Sequence, residues 1–275
     1  MSQPAADIGP NPQVRAGHEF PEYRLVIDSE YQHRLHGFCD IPRSLYGDRA
    51  DPTFLARYPI KVIGSTMFAC HPERGYVHMV HRIRQHKPAK LDTPVTVRGR
   101  FTEIEPVPRG WIMHASFDYF AEDGTHLMTV EPQALMADPT RMPDKSAKKP
   151  ERSGGGAGEE GFEVLKHKQC TPEKVLGYCG DTNNKIHTDP EYAKGFGFRA
   201  PITAGNQIVN YQLEALATDG LPDSFDVSIR FLRPVFWDDA IDMMGRRGSD
   251  GRLSALRAVK EDGKIASTCE VFAVA

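Results

Sequence analysis

The sequence predicts an α+β protein made of two similar halves, each a helix covered by a run of antiparallel strands. Three observations carry this. A composition break at 137–161, ADPTRMPDKSAKKPERSGGGAGEEG, is rich in Pro, Gly and charge and nearly empty of large apolar residues, so it reads as a flexible linker. It leaves segments 20–136 and 162–275, each long enough for a domain of its own. The two segments also share an order of motifs, which points to duplication.

The shared order begins with YGDRADPTFLARYPIKVIG (46–64) and YCGDTNNKIHTDPEYAKGFGFRAPITAG (178–205). Both place Gly-Asp before Asp-Pro, then an aromatic residue (Phe54, Tyr192), a second proline (Pro59, Pro201) and a closing glycine. Alternating segments follow in each half. Val95–Glu105 and Trp111–Phe120 alternate in the first; 225–232, 253–259 and 266–274 do so in the second. Turn signals separate them: Glu-Asp-Gly at 122–124, Ser-Asp-Gly at 249–251 and Glu-Asp-Gly at 261–263. Before Gly220, Ile208, Val209, Leu213 and Leu216 fall at helical spacing, with Thr203 as the expected cap and Gly220 as the terminator.

Composition excludes several classes. The chain has 275 residues, 40% hydrophobic and 26% charged, as a globular protein with a core requires. A net charge of −3 gives no electrostatic pull toward nucleic acid or a membrane surface. No stretch reaches the roughly 18 apolar residues of a membrane span, and the first residues, MSQPAADIGPNPQ, lack the features of a secretory signal. The five cysteines form no CxxC, which speaks against a disulfide framework or a cysteine zinc site. A cytoplasmic protein without cofactor is expected. P-loop, dinucleotide-binding and Gly-x-Ser-x-Gly motifs are absent.

Chemistry concentrates in Gly180-Asp181-Thr182-Asn183-Asn184-Lys185-Ile186-His187. A carboxylate and an imidazole within loop reach can activate a water. Downstream, Gly205 opens the expected helix, whose free N–H groups and dipole can stabilise a developing oxyanion. Base, acid and oxyanion donor are what the addition of water beside a carbonyl needs.

This stretch resembles the signature of the MaoC-like, (R)-specific enoyl-CoA hydratase (hydratase 2) family. Gly180-Asp181, Asn184, Ile186, His187, Ala193, the run Gly197-Phe198-Arg199-Ala200-Pro201-Ile202 and Gly205 match it, and SIRFLRPVFWDD (228–239) resembles a later family segment. The likeness is close in the second half and loose in the first, as in members with two fused hot-dog repeats. It implies a double hot-dog protein acting as a hydro-lyase on a trans-2-enoyl or 3-hydroxyacyl thioester in fatty acid metabolism. Asp181 and His187 would then be the catalytic pair, Gly205 the oxyanion donor and Asn184 the residue that holds the loop. The substrate would be an acyl-CoA, with no metal or other cofactor, and the working unit a monomer of two repeats or a homodimer of it.

The chain departs from the pattern in three places: Asp181 and His187 are six positions apart where the family has five, Lys185 replaces a proline, and Ala204 stands where a histidine is common. In the first half, matching Asp51-Pro52 to Asp189-Pro190 puts Arg49 where His187 sits, so Asp48 lacks its histidine and that repeat is expected to be inactive. Arg34, Arg43 and Arg49 nearby suggest a polar or carboxylated acyl group; Arg49, Arg230 and Arg233 are candidate substrate-binding residues, and Lys87 and Lys90 could also meet CoA phosphates.

Eleven histidines raise the question of a metal. His78 and His81, three apart on an expected strand, should point to opposite faces, and no pattern completes a site around His33 and His36. Trp111 and Trp237 are expected to pack the core. Two rivals remain. A hot-dog thioesterase would put its carboxylate on the central helix, where Glu214 stands; a silent acyl-CoA binding protein would have lost its site to the inserted residue.

Overall fold

The computed structural model describes residues 13–71, 75–141, 161–180 and 184–275. The first half runs β1 (Tyr23–Leu25), α1 (Ser29–Phe38), α2 (Pro52–Cys70), β2 (Gly75–Gln85), β3 (Val95–Val107), β4 (Gly110–Phe120) and β5 (His126–Ala137). The second runs β6 (Phe162–Gln169), α3 (Pro172–Cys179), α4 (Pro190–Gly195), α5 (Gly205–Leu216), β7 (Phe225–Phe231), β8 (Ala240–Arg247), β9 (Leu253–Lys260) and β10 (Ile265–Val274). Most of the expected linker, 142–160, lies outside the described residues.

The ten strands of the described residues form one antiparallel sheet in the order β1-β3-β4-β5-β2-β7-β10-β9-β8-β6. Outward from the β2–β7 seam the halves match: β2-β5-β4-β3-β1 on one side, β7-β10-β9-β8-β6 on the other. Helix α2 packs on β2 and β5, α5 on β8 and β9, and the two helices touch. Alternation in β4 sends Met113, Ala115, Phe117 and Tyr119 inward, all at 3% exposure or less, which is why this strand was legible from its sequence.

The duplication is real, but its register differs from the one expected. By topology α2 corresponds to α5, and α1 to α3. Asp51-Pro52 opens the 19-residue α2, whereas Asp189-Pro190 opens the six-residue α4. Both aspartates cap a helix with proline in its first turn: Asp51 accepts from the Thr53 amide, Asp189 from those of Glu191 and Tyr192. One local signal thus serves two unrelated helices. Arg49 is therefore not the counterpart of His187. The expected cap Thr203 is also displaced: Ala204 is the N-cap of α5 and offers no side-chain bond, while the Thr203 amide donates to Val235 O.

Helix α2 continues through Pro59, which lacks the N–H that would bond Leu55 O. The hydroxyl of Tyr119, on β4, donates to that carbonyl at 2.9 Å. A buried side chain thus satisfies the group the proline leaves free.

The two halves also join through a buried polar network at the start of α2. Asp51, with no exposed surface, accepts at Oδ2 from His36 Nε2 of α1 and from Asn210 Nδ2 of α5, both at 2.8 Å. Asn210 Oδ1 in turn accepts from the Tyr178 hydroxyl of α3 at 2.6 Å. Gln32 closes the other side, its Oε1 accepting from the Asp51 amide and its Nε2 donating to Arg49 O. Asp51→Ala leaves buried donors on His36 and Asn210 without an acceptor and should cost about 3–5 kcal/mol. Urea denaturation should show a lower midpoint with an unchanged slope; a loss below about 1 kcal/mol would mean that the network does not join the halves.

Candidate active site

Helix α3 ends in Tyr178, Cys179 and then Gly180, and Asp181, Thr182 and Asn183 lie outside the described residues. The chain is described again at Asn184, which caps a single 3-10 turn, Lys185–His187, by accepting at Oδ1 from the Ile186 amide. A strap at 201–203 holds this turn. The Ile202 amide donates to Ile186 O, the Trp237 amide to Pro201 O, and Ile202 bridges Phe236. Gly205 begins α5 three residues after Ile202.

His187 is half-buried, and its Nδ1 lies 2.8 Å from Ile202 O. A carbonyl can only accept, so the proton sits on Nδ1 and Nε2 carries the lone pair. The amide nitrogen of Asn184 lies 3.3 Å from that Nε2. Burial pushes the His187 pKa below the usual imidazole value; the Ile202 carbonyl opposes the shift and the Arg57 guanidinium adds to it. The ring is a neutral base with a fixed tautomer.

Arg57 belongs to α2, in the other half. Its Nη1 donates to the Tyr31 hydroxyl at 2.9 Å, and its guanidinium lies 5.3 Å from the Tyr178 ring centre. Nothing in the run LARYPIKV marked it, because its role depends on packing between halves.

Gly205 is crowded on its open side. A Cβ there would lie 3.3 Å from His78 Nδ1 and 3.4 Å from Phe231 Cζ. His78 and His81 do not point to opposite faces as strict alternation requires. The β2–β5 register shifts between His78 and Val80, and this bulge turns both rings inward, with His81 Nδ1 2.9 Å from His78 Nε2. Burial lowers the His78 pKa to about 3, with the Val80 backbone opposing, and burial followed by His78 holds His81 well below the imidazole range. No group of three or more metal-binding side chains occurs among the described residues.

The candidate substrate-binding arginines lie elsewhere. Arg49 pairs with Asp223 at 2.7 Å beside an apolar cleft that includes Tyr46, Pro52, Leu213 and Leu216, while Asp48 is exposed. Arg230 is exposed on β7 and alternates with Phe231, so it faces away from Gly205. Arg233 Nη1 donates to Ile265 O. Glu214 is sealed in the core, 4% exposed and 2.5 Å from Lys168 Nζ. Trp111 is buried and Trp237 packs against the core, as expected.

No family model matches the chain. It is 26% identical over 191 residues to 3-hydroxyacyl-thioester dehydratase X of Mycobacterium tuberculosis, an alignment spanning 66% of this chain and 64% of the relative. The crystal structure of HtdX from the same organism superposes with a TM-score of 0.68 at 20% identity, covering 92% of this chain and 98% of that one. A MaoC-like dehydratase from Phytophthora capsici gives 0.67 at 16% identity over 95% and 97%. An acyl-ACP thioesterase from Bacteroides thetaiotaomicron gives 0.59 at 12% identity over 91% and 96%, so the architecture is shared across reaction types. The resemblance to MaoC-like dehydratases drawn from the sequence is borne out, and the fold is the double hot-dog.

Two measurements follow from the imidazoles. The His187 ring should titrate below about 6.5 by NMR, and Arg57→Gln should raise its midpoint without restoring the ordinary value, because burial remains. His78, His81 and His187 all bind a proton less readily folded than unfolded. The stability this reflects is complete above about pH 6.5 and is lost as pH falls below it, toward the value near 3 of His78. The melting temperature should be level from about pH 8 to 7 and decline below about 6.5; a level profile down to about pH 5 would contradict the buried neutral rings.

Proposed function

We propose that this chain is a MaoC-like hydro-lyase that adds water to a trans-2-enoyl thioester, or removes it from a 3-hydroxyacyl thioester, at one site in the second repeat. The observation that carries the reading is the strap joining His187 to Gly205. It fixes the imidazole with Nε2 as base and leads within three residues to a helix start that no side chain caps.

In the hydration direction, water sits between Asp181 and His187, whose pairing rests on the sequence motif. His187 Nε2 takes a proton from this water as the water oxygen bonds to C3, with Asp181 accepting the water's other hydrogen. The electron pair moves through C2 to the thioester carbonyl, where the Gly205 N–H stabilises the enolate oxygen. The imidazolium then returns the same proton to C2, so the H and OH of one water are added and both groups end as they began. No redox or group-transfer partner is needed, which fits the expectation of no cofactor. Asn184 keeps the Nε2 side of the ring in place.

The thioesterase alternative asks for a carboxylate on the central helix, and Glu214 is engaged by Lys168 in the core. The carrier is proposed to be CoA. Segments 20–136 and 162–275 would act together as the two repeats, and because β2 and β7 already pair within one chain, a monomer would be sufficient as the catalytic unit. No helix of the described residues is long and apolar enough to cross a membrane.

Incubation with a trans-2-enoyl-CoA should remove the enoyl absorbance without releasing thiol. Asp181→Asn and His187→Gln should each lower kcat by about 10²–10⁴-fold, and the double variant by little more. Asp48→Asn should leave kcat near that of the parent. Thiol release from acyl-CoA, or binding without turnover, would replace this reading with the thioesterase or the binding protein.

A further inference from the structure

The His78–His81 pair lies on the half that lacks the motif, with His81 buried and His78 half-buried beside it, and the mechanism above does not use it. His81 has no exposed surface, and its Nε2 is buried without a hydrogen-bond partner. The two rings share one proton across 2.9 Å. If His78 gave that proton, His81 would carry its own on Nε2 as a buried donor with no acceptor. Such orphaned donors are rarer in proteins than under-used acceptors. The favoured arrangement therefore has His81 Nδ1–H donating to His78 Nε2. His78 then holds its proton on Nδ1, the nitrogen 3.3 Å from where a Cβ of Gly205 would lie, and the Val80 backbone also meets this ring, so a substrate oxygen would share or take over that contact.

We propose that His78 Nδ1–H is a second donor to the thioester carbonyl oxygen, beside the Gly205 amide, with His81 as the positioning residue that fixes its tautomer. This rests on the hydro-lyase reading and adds to it a residue from the first repeat. A carbonyl oxygen accepting from Gly205 N–H enters the space that the glycine leaves open, alongside the His78 ring, with Phe231 as its apolar wall. A neutral imidazole suits the task, because it polarises the carbonyl without surrendering its proton to the enolate. The pair also gives a reason for glycine at 205: any side chain there would press on the donor and on Phe231. The β2 bulge, otherwise a defect in the ladder, is what turns the donor inward.

The test uses the full chain and two substitutions that divide the ring's functions. His78→Asn keeps an N–H near the place of Nδ1 and loses the bond to His81. His78→Gln keeps a group near the place of Nε2 and loses the donor. Two readouts are taken: steady-state hydration of a trans-2-enoyl-CoA, and the absorbance of bound cinnamoyl-CoA, whose band moves to longer wavelength when its carbonyl oxygen is polarised. His78→Asn should keep the red shift and a kcat within about tenfold of the parent, while His78→Gln should lose the shift and about 100-fold in kcat with KM changed little. His187→Gln should lose turnover and keep the shift. The proposal is overturned if His78→Gln retains parental kcat and shift, or if His78→Asn loses as much as His78→Gln. Melting temperatures identify a variant that fails to fold, and His81→Leu then takes its place, expected to weaken the shift while leaving Gly205 and His187 intact. A parent protein that neither hydrates the enoyl thioester nor shifts the bound probe would instead remove the hydro-lyase reading itself.

Discussion

The rest of the molecule depends on how the Asp51 carboxylate is satisfied. It lies wholly within the protein and can be there because every direction offers a donor: the Thr53 amide at the start of α2, His36 from α1 and Asn210 from α5. Three helices are fixed by one side chain. A fourth follows, since Asn210 is held in turn by Tyr178, two residues before Gly180 and the loop of the candidate site. A buried network of this kind has few alternative arrangements that leave no polar atom stranded, so it specifies one relation between the two halves.

The same network explains why the two corresponding helix starts differ in structure. At the start of α2 a carboxylate occupies the Thr53 amide, proline fills the first helical position, and the residues from Ala50 to Ala56 are buried. At the start of α5 the corresponding positions are Ala204 and Gly205, with no side-chain cap and the His78 ring beside the glycine. One central helix has its N-terminus closed for stability and the other has it open.

How much of this was legible follows from the range of each interaction. Strands such as Trp111–Phe120 show period-two burial because each residue meets either the helices or the outside, and that is written locally. The order of elements in each half was legible for the same reason. The equivalence of the two Asp-Pro pairs misled because capping is a property of three or four residues and is blind to which helix follows. Alternation alone puts His78 and His81 on opposite faces, and the bulge that turns both inward depends on the partner strand β5, which the sequence of β2 does not contain. Arg57 carried no signal at all. Its partners Tyr31 and Tyr178 lie 26 positions before it and in the other half of the chain.

The seam between the halves sets what surrounds the candidate site. In the β2–β7 ladder Val80 faces Arg230 and His81 faces Ile229, so a slip of one residue would carry His81 from the core to the outer face. The outer face guards against this. Arg82, adjacent to His81, donates through Nε and Nη2 to both oxygens of Asp226 on β7, at 3.0 and 2.8 Å, and Arg84 adds a bond to the same carboxylate. The fork geometry of a guanidinium on a carboxylate tolerates little displacement, so the pair sets register even where its net stabilisation is small. On the inner face that register brings the His78 side of β2 against Gly205, while Arg57 of the same half adds its charge beside His187. The half without the motif therefore supplies two of the groups that surround the motif. That gives a physical reason for joining both halves in one chain: two independent copies could form the sheet, but only an asymmetric pair can close one helix start with a carboxylate and furnish the other with an imidazole.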